Sequence, residues 1–295
     1  MFDPKKKMAL IEVVASGSFE RAARKLNITT SAVSQRVRAL EVEMGMSLLI
    51  RDRPCRPTEE GKKLIRHLKN IEYLDNEFMN EFIDVKKNKL RFSIAVNNDS
   101  LSNWLMPVLA EYLQSGEVML DVYIDDQDYT HLALESGLTI MAVTSKKKTF
   151  NSCKSVYLGK LRYKLACSSV FYKKWFKNGV NFTSLKNSPL LVFCEKDRLQ
   201  EDFLKNNFGL MQDICSCHYI PSSEAYYEAV LFGIGYGMMP LPKYEEKIIS
   251  ADLIDLMPTE KTDISLYLHY WETQLPKLIK FREKIIAQAR KVLVE

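Results

Sequence analysis

Ser16-Gly17-Ser18-Phe19-Glu20-Arg21-Ala22-Ala23-Arg24-Lys25-Leu26-Asn27-Ile28-Thr29-Thr30-Ser31-Ala32-Val33-Ser34-Gln35-Arg36-Val37-Arg38-Ala39-Leu40-Glu41-Val42-Glu43-Met44 holds two helix signals around a four-residue turn. Gly17 ends a preceding helix, and Ser18 offers an oxygen to the free amides of the next. That helix sets Phe19, Ala22, Ala23 and Leu26 on one face. Small alanines let a crossing helix approach closely, as the tight angle of a helix-turn-helix requires. Asn27-Ile28-Thr29-Thr30 is the turn, with Ile28 as its apolar plug. Thr29 or Thr30 then caps a helix that runs to about Met44 and stops at Gly45, with Val33, Val37, Leu40 and Met44 turned inward. The outward face offers Thr30, Ser31, Ser34, Gln35 and Arg38, with Arg36 at its flank. Short hydroxyls and an amide near a helix N-terminus fit a major groove, where Gln can pair with adenine. The helix's own amides add a phosphate site. These six side chains are the candidate contacts to a duplex.

The flanks extend the same module. Met8, Leu10, Ile11, Val13 and Val14 mark a first helix that starts near Asp3-Pro4. Beyond Gly45, Leu48-Leu49-Ile50 starts a short strand, and Arg51-Asp52-Arg53-Pro54-Cys55-Arg56-Pro57 is a basic turn. This predicts a wing whose tip places Arg53 and Arg56 beside a nucleic-acid backbone. Arg51 either joins them or pairs with Glu41. Thr58-Glu59-Glu60-Gly61 opens a long helix reaching about Asp84, with a capping threonine and two glutamates where the helix dipole favours them. Its stripe of Leu64, Ile65, Leu68, Ile71, Leu74, Phe78 and Phe82 is longer than so small a module can cover. Pairing with a second copy would cover it and would set two recognition helices on a palindromic site.

Charge agrees with this division. Residues 1–69 hold 15 Lys/Arg against 8 Asp/Glu, and residues 70–295 hold 27 against 29. A basic small module joined to a near-neutral large one suits a polyanionic partner. At 295 residues the chain is long for one core, so two or three domains are expected. No stretch is apolar enough to span a bilayer, and the basic start lacks the apolar region of a signal peptide, so the expectation is a cytoplasmic protein with no membrane partner. Six unpaired cysteines fit a reducing compartment. Cys215-Ser216-Cys217-His218 has no second cluster, so no metal site is expected. No GxSxG, HExxH, P-loop or dinucleotide motif is present, and Gly233-Ile234-Gly235-Tyr236-Gly237 has the wrong spacing for one; an enzyme is not expected.

The first module resembles that of the LysR-type transcriptional regulators. The likeness runs through Ser16–Leu26, Thr30–Val37, Leu40-Glu41, Gly45, Leu48-Leu49, Arg51, Pro54–Thr58 and Gly61. The short Arg51–Arg56 wing is similar to that of the ArgP/LysG (IciA-like) branch. The similarity continues through Ala95–Leu101, Asp125–His131, Ala142–Thr144, Leu158–Tyr163, Tyr219–Ala225 and Gly233–Pro240, and so covers nearly the whole chain. It implies a winged helix-turn-helix domain (1–58), a linker and dimerisation helix (59–88) and a two-lobed, periplasmic-binding-protein-like α/β effector domain (89–295). Lobe I would hold about 89–160 and 266–295, and lobe II about 161–265. It also implies a homodimer or homotetramer on double-stranded promoter DNA in the nucleoid, meeting RNA polymerase, and activation of a gene for basic-amino-acid export.

Alternating strand and helix patterns support an α/β second region on their own. Lys89–Val96, Val118–Ile124 and Thr139–Val143 read as strands, and Ser100 and Thr130–Ser136 as helical. Leu165–Ser168, Pro189–Phe193 and Cys215–Ile220 read as strands of a second subdomain, and Ile264–Tyr270 as a return strand before a terminal helix. Ligands in such sheets gather beyond the carboxyl ends of strands. Asn98 and Ser100 at one strand-to-helix junction suit a carboxylate; Thr144 follows another strand, and Ser222, Ser223 and Glu224 open a helix. Asp125, Asp126 and Asp128 form an acidic loop suited to an ammonium or guanidinium group. Together they suggest a zwitterion with a basic tail, and the resemblance implies L-lysine and L-arginine as effectors with no cofactor. The working mechanism is a ligand that closes or tilts the lobes and changes how protomers meet DNA. The rival is a small-molecule-binding or adaptor protein without a direct transcriptional role, which would show no salt-dependent duplex binding.

Overall fold

Caps at the helix ends build the first module. The computed structural model describes residues 3–82, 90–114, 116, 118–150, 153–241, 245, 247, 252–272 and 276–295. Helix α1 (Pro4–Ser16) starts on the Asp3 side chain, which accepts from the Lys5 amide, and ends at Gly17 with φ 66°. Helix α2 (Phe19–Leu26) is capped by Ser18 and ends at Asn27 with φ 54°, a left-handed turn that a short amide side chain tolerates. For α3 (Thr30–Met44) the cap is Thr29, which accepts from Ala32, and the stop is Gly45. Val33, Val37 and Leu40 pack with Ala22, Ala23, Leu10 and Val13 in one buried cluster, and Ile28 and Met44 pack at its edge. Strands β1 (Leu49–Ile50) and β2 (Arg56–Pro57) pair antiparallel as the wing.

Helix α4 (Glu59–Phe82) follows, with the Gly61 amide donating to Thr58 Oγ1 at 3.0 Å. The predicted end near Asp84 lies outside the described residues, as do the predicted linker residues 83–88 and the strand start at Lys89. Leu64, Ile65 and Leu68 are buried in the first cluster, whereas Leu74 and Phe78 are 56% and 59% exposed.

The second region is built on one mixed sheet in the order β10 (Leu253–Asp255), β6 (Cys153–Ser168), β11 (Thr262–Trp271), β5 (Met141–Thr144), β3 (Leu90–Val96) and β4 (Val118–Ile124), with β9 (Gly237–Pro240) beside β6, plus a separate parallel pair of β7 (Leu190–Val192) and β8 (Cys217–Tyr219). Strand β3 (Leu90–Val96) runs parallel to β4 (Val118–Ile124) and β5 (Met141–Thr144). Helix α5 (Asn98–Ser100) passes through a π turn at Leu101–Leu105 into α6 (Met106–Leu113), and α7 (His131–Glu135) joins β4 to β5. Strand β6 (Cys153–Ser168) leads to α8 (Ser169–Trp175), α9 (Phe182–Asn187), β7 (Leu190–Val192), α10 (Leu199–Phe208) and β8 (Cys217–Tyr219). Then come α11 (Ser223–Leu231), β9 (Gly237–Pro240), β10 (Leu253–Asp255), β11 (Thr262–Trp271) and a C-terminal helix, Pro276–Val292. Strand β11 is antiparallel to both β5 and β6.

Two sequence expectations need correction. The strand expected over Thr139–Val143 begins at Met141, because the Thr139 amide still donates to Ala133 O at the end of α7. The strand expected over Leu165–Ser168 is the tail of the 16-residue β6. Gly159, at φ 133°, breaks the alternation of β6 where its register with β11 slips between Leu266 and Tyr267. Strands β9 and β10 escape a periodicity reading because one is buried on both faces and the other has three residues.

The two regions meet on α4. Lys62 Nζ lies 2.6 Å from Glu135 of α7, and the Arg66 guanidinium lies 4.6 Å from the centroid of the Trp271 ring. Leu138 packs onto the cluster of the first module.

Candidate nucleic-acid interface and ligand cavity

The outward face of α3 and the wing enclose a groove of about 740 Å³, with Thr30 and Ser34 on one wall and Arg51–Cys55 on the other. Thr30, Ser31, Gln35 and Arg38 are exposed, and Ser34 and Arg36 are half-buried. In the wing, Arg53 is exposed and Arg56 lies 3.7 Å from Asp52 across an open surface, a pair too hydrated to hold it. Arg51 takes the structural role. Its guanidinium donates to Glu41 Oε2 at 3.0 Å and lies 5.5 Å from the centroid of the Phe19 ring, while Glu41 Oε1 accepts from the Leu48 amide at 3.0 Å. The two residues tie α3 to the wing.

In the second region, the ends of β3 and β4 open onto a cavity of about 490 Å³. Asn97, Asn98 and Asp99 line it after β3, and Asp125, Asp126 and Gln127 after β4. Tyr163 of β6, the Phe193–Asp197 loop, Ser223 and Tyr226 of α11, and Met238–Pro240 of β9 complete the wall. Of the residues predicted from sequence, Asn98, Asp125, Asp126 and Ser223 meet here.

The other five predicted residues lie outside the lining. Ser100 is fully buried, because α5 starts two residues earlier than its sequence suggested and carries Ser100 inside the helix. Thr144 is fully buried too, its hydroxyl donating to Gln127 O at 2.9 Å. Asp128 turns toward the Ser145 hydroxyl and Lys146 and faces a neighbouring cleft. Ser222 is spent as the cap of α11, accepting from the Ala225 amide, and Glu224 stands exposed on that helix's first turn.

Asp99, Tyr163 and Asp197 are the residues that sequence reasoning missed. Asp99 accepts from Tyr163 Oη at 2.7 Å and from Ser223 Oγ at 2.8 Å. Burial raises its carboxyl above the ordinary range, against the pull of those two hydrogen bonds. Burial likewise raises Asp126, and it pushes Asp197 up to about 6, helped by the nearby charges of Asp126, Asp99 and Asp128. Asp99 stood within the Asn97–Ser100 segment but between two residues better suited to a cap. Asp197 carries no sequence signal. Among the described lining residues Lys196 alone is cationic, and it is committed to Asp125 at 3.1 Å and to the Tyr129 ring. The cavity is therefore acidic and suits a cation.

Among the described residues no group of His, Cys, Asp and Glu is placed to hold a metal ion, and Cys215 and Cys217 are free thiols. No helix of the described residues is long and apolar enough to cross a membrane.

Residues 7–62 match the family model described as bacterial regulatory helix-turn-helix protein, lysR family. The HTH-type transcriptional regulator ArgP of Escherichia coli is 36% identical over 285 residues, covering 97% of this chain and 96% of that protein. The chain belongs to the LysR-type transcriptional regulators, in their ArgP/LysG branch. ArgP of Vibrio vulnificus is 33% identical over 283 residues, 96% of this chain and 95% of its own. Among solved structures, ArgP from Mycobacterium tuberculosis superposes with a TM-score of 0.78 at 29% identity, covering 100% of this chain and 99% of that one. Full-length LysG from Corynebacterium glutamicum with bound effector Arg gives 0.74 at 26%, with 99% and 100% covered. This LysR-type regulator is thus a ligand-responsive DNA-binding protein and not an enzyme. It joins an N-terminal helix-turn-helix to the two-lobed effector domain of the family.

Proposed function

We propose that this regulator binds L-arginine or L-lysine in the acidic cavity and, in response, activates transcription of a gene for basic-amino-acid export. The observation that carries the reading is the cavity's charge: Asp99, Asp125, Asp126, Glu195 and Asp197 face one committed lysine. Asn98 at the start of α5 and Ser223 at the start of α11 offer hydrogen bonds to the ligand's carboxylate. That LysG of C. glutamicum holds Arg as effector supports the same class of ligand. Lysine and arginine, added in turn, should shift the footprint of the protein on the promoter of a neighbouring transporter gene. An unchanged footprint and flat titration calorimetry with both would sink this reading.

The division of labour follows the sequence: residues 1–58 bind DNA, 59–88 link and dimerise, and 89–295 sense the effector. The protein acts in the cytoplasm on promoter DNA in the nucleoid, in contact with RNA polymerase. The exposed Leu74 and Phe78 edge of α4 is the surface through which two copies pair, as a homodimer or within a homotetramer. On DNA, Thr30, Ser31, Ser34, Gln35 and Arg38 read the major groove, while Arg36, Arg53 and Arg56 hold the backbone.

Two substitutions separate readout from positioning. Arg53→Ala should weaken binding alike across operator variants and lower the salt slope by about one. Gln35→Ala should cost about 1–3 kcal/mol on the preferred operator and relax the preference at one base position. Mobility shifts on a panel of operator variants, at two salt concentrations, check both; equal uniform losses would refute the division.

A further inference from the structure

Asp99 is placed unlike any other acid of the cavity. It stands at the first turn after β3, yet both its hydrogen-bond donors, Tyr163 and Ser223, come from elements that carry the far wall. Tyr163 lies where β6 pairs with β11 on one side and β9 on the other, and Ser223 opens α11. Asp99 is thereby fixed in position, with no cationic partner among the described residues. The adjacent Asn97 is 6% exposed and donates its amide to Gln127, which ties the turn after β3 to the loop after β4.

Other groups face Asp99 from every side. Asp126 comes from the loop after β4 and Asp197 from the loop before α10, and Asp197 feels the charges of both Asp126 and Asp99. Lys196 and Asp125 face each other at the mouth, and Glu195 is exposed there. Tyr226 of α11 is buried and its one hydroxyl proton is taken up by Gln200 Oε1 at 2.8 Å, with Leu191 O beside it at 3.1 Å, so it supplies no charge. Three carboxylates in a partly dry space cannot all ionise without a counter-charge. Either a proton or a ligand cation supplies it.

We propose that Asp99 is the specificity-determining residue of this cavity, seating the cationic end of the ligand, and that a proton leaves the Asp99–Asp126–Asp197 group for solvent as the cation enters. The acidic loop marked by Asp125 and Asp128 is then not the main seat, since each of those carboxylates already has a lysine. This assignment rests on reading the cavity as a site for basic amino acids. Deprotonation favours the cation, so affinity rises with pH. It falls by up to about tenfold per unit as pH drops below about 6, the range in which Asp197 takes up its proton.

The test is titration calorimetry of the full-length protein with L-arginine, L-lysine, agmatine and citrulline, at pH 6 and pH 8, in buffers of different ionisation heat. Asp99→Asn should weaken arginine and agmatine by at least about 30-fold, whereas Asp121→Asn, remote on β4 and paired with Arg91, should leave both unchanged. Citrulline, isosteric but uncharged at its end, should fail to bind. Wild-type protein should release roughly half a proton per arginine at pH 6, where Asp197 is about half protonated, and fewer at pH 8, a readout that needs no variant to fold. Arginine bound by Asp99→Asn within threefold of wild type, or proton-neutral binding at pH 6, would overturn the assignment and leave the amino-acid reading standing. Agmatine bound in an Asp99-dependent way, with neither arginine nor lysine bound, would keep the seat and overturn the amino-acid reading. No binding of any cation would overturn both.

Discussion

Gly61→Ala should unfold the winged module well before the wild-type protein melts. In the interior of a helix this change normally stabilises by about 1 kcal/mol. Here a Cβ would stand 2.1 Å from the carbonyl oxygen of Leu48 and 3.0 Å from its carbon, both backbone atoms. That oxygen is held by the Thr58 amide at 3.0 Å, so it has no free direction of retreat. The wing would have to part from α4, carrying the fully buried Leu48 with it. We expect a net loss of about 3 kcal/mol, a melting point lower by about 10 °C, and DNA affinity lost in proportion. Differential scanning calorimetry decides it; a midpoint within about two degrees of wild type would show that the wing yields.

Gly137→Val is the second large effect, and it acts about one turn further along the same helix. Gly137 sits at φ 78°, a conformation that costs a β-branched residue about 1–3 kcal/mol. Its added Cβ would also meet the Arg66 amide nitrogen at 2.9 Å and Ile65 Cγ2 at 3.0 Å. Strain and collision together should pry the end of α7 from α4, releasing the contacts of Lys62 with Glu135 and of Arg66 with Trp271. Faster hydrogen exchange in residues 60–68 and a red-shifted tryptophan emission are the expected signs. Gly116→Ala is the control for strain without collision, since Gly116 has φ 71° but open space around it. If both variants behaved alike, the contact with α4 would carry none of the effect.

The first module is legible in sequence because its signals are local. Ser18, Thr29, Asn27 and the glycines at 17 and 45 act within a turn of the residues they cap, so neighbouring letters suffice. Even there the role of Arg51 is set by Glu41 and Phe19, which the fold brings beside it from other elements. The cavity follows another logic. Asp99 and Ser223 are 124 positions apart, and what makes Asp99 a site is the pair of hydroxyls that topology brings to it. Single loops therefore suggested Ser100 and Thr144, which are polar by type but face the protein interior. The general acidity of the site was readable from Asp125 and Asp126; the residue at its centre required the fold.

Strand β6 bears on how this domain can move. Its first half pairs with β11 and its second with β9 and β10. Between the pairing of β11 with β5 at Tyr267–Tyr270 and that of β6 with β9 at Tyr163–Ala166, the sheet is only these two strands wide among the described residues, and the register slip beside Gly159 falls in that stretch. Two-stranded ribbons take up more twist than broad sheets, so this one can turn one side of the domain against the other while its ladder hydrogen bonds stay made. Scattering profiles of free and arginine-loaded protein should accordingly differ by a rotation across this ribbon; superimposable profiles at saturating arginine would show that the ribbon is rigid.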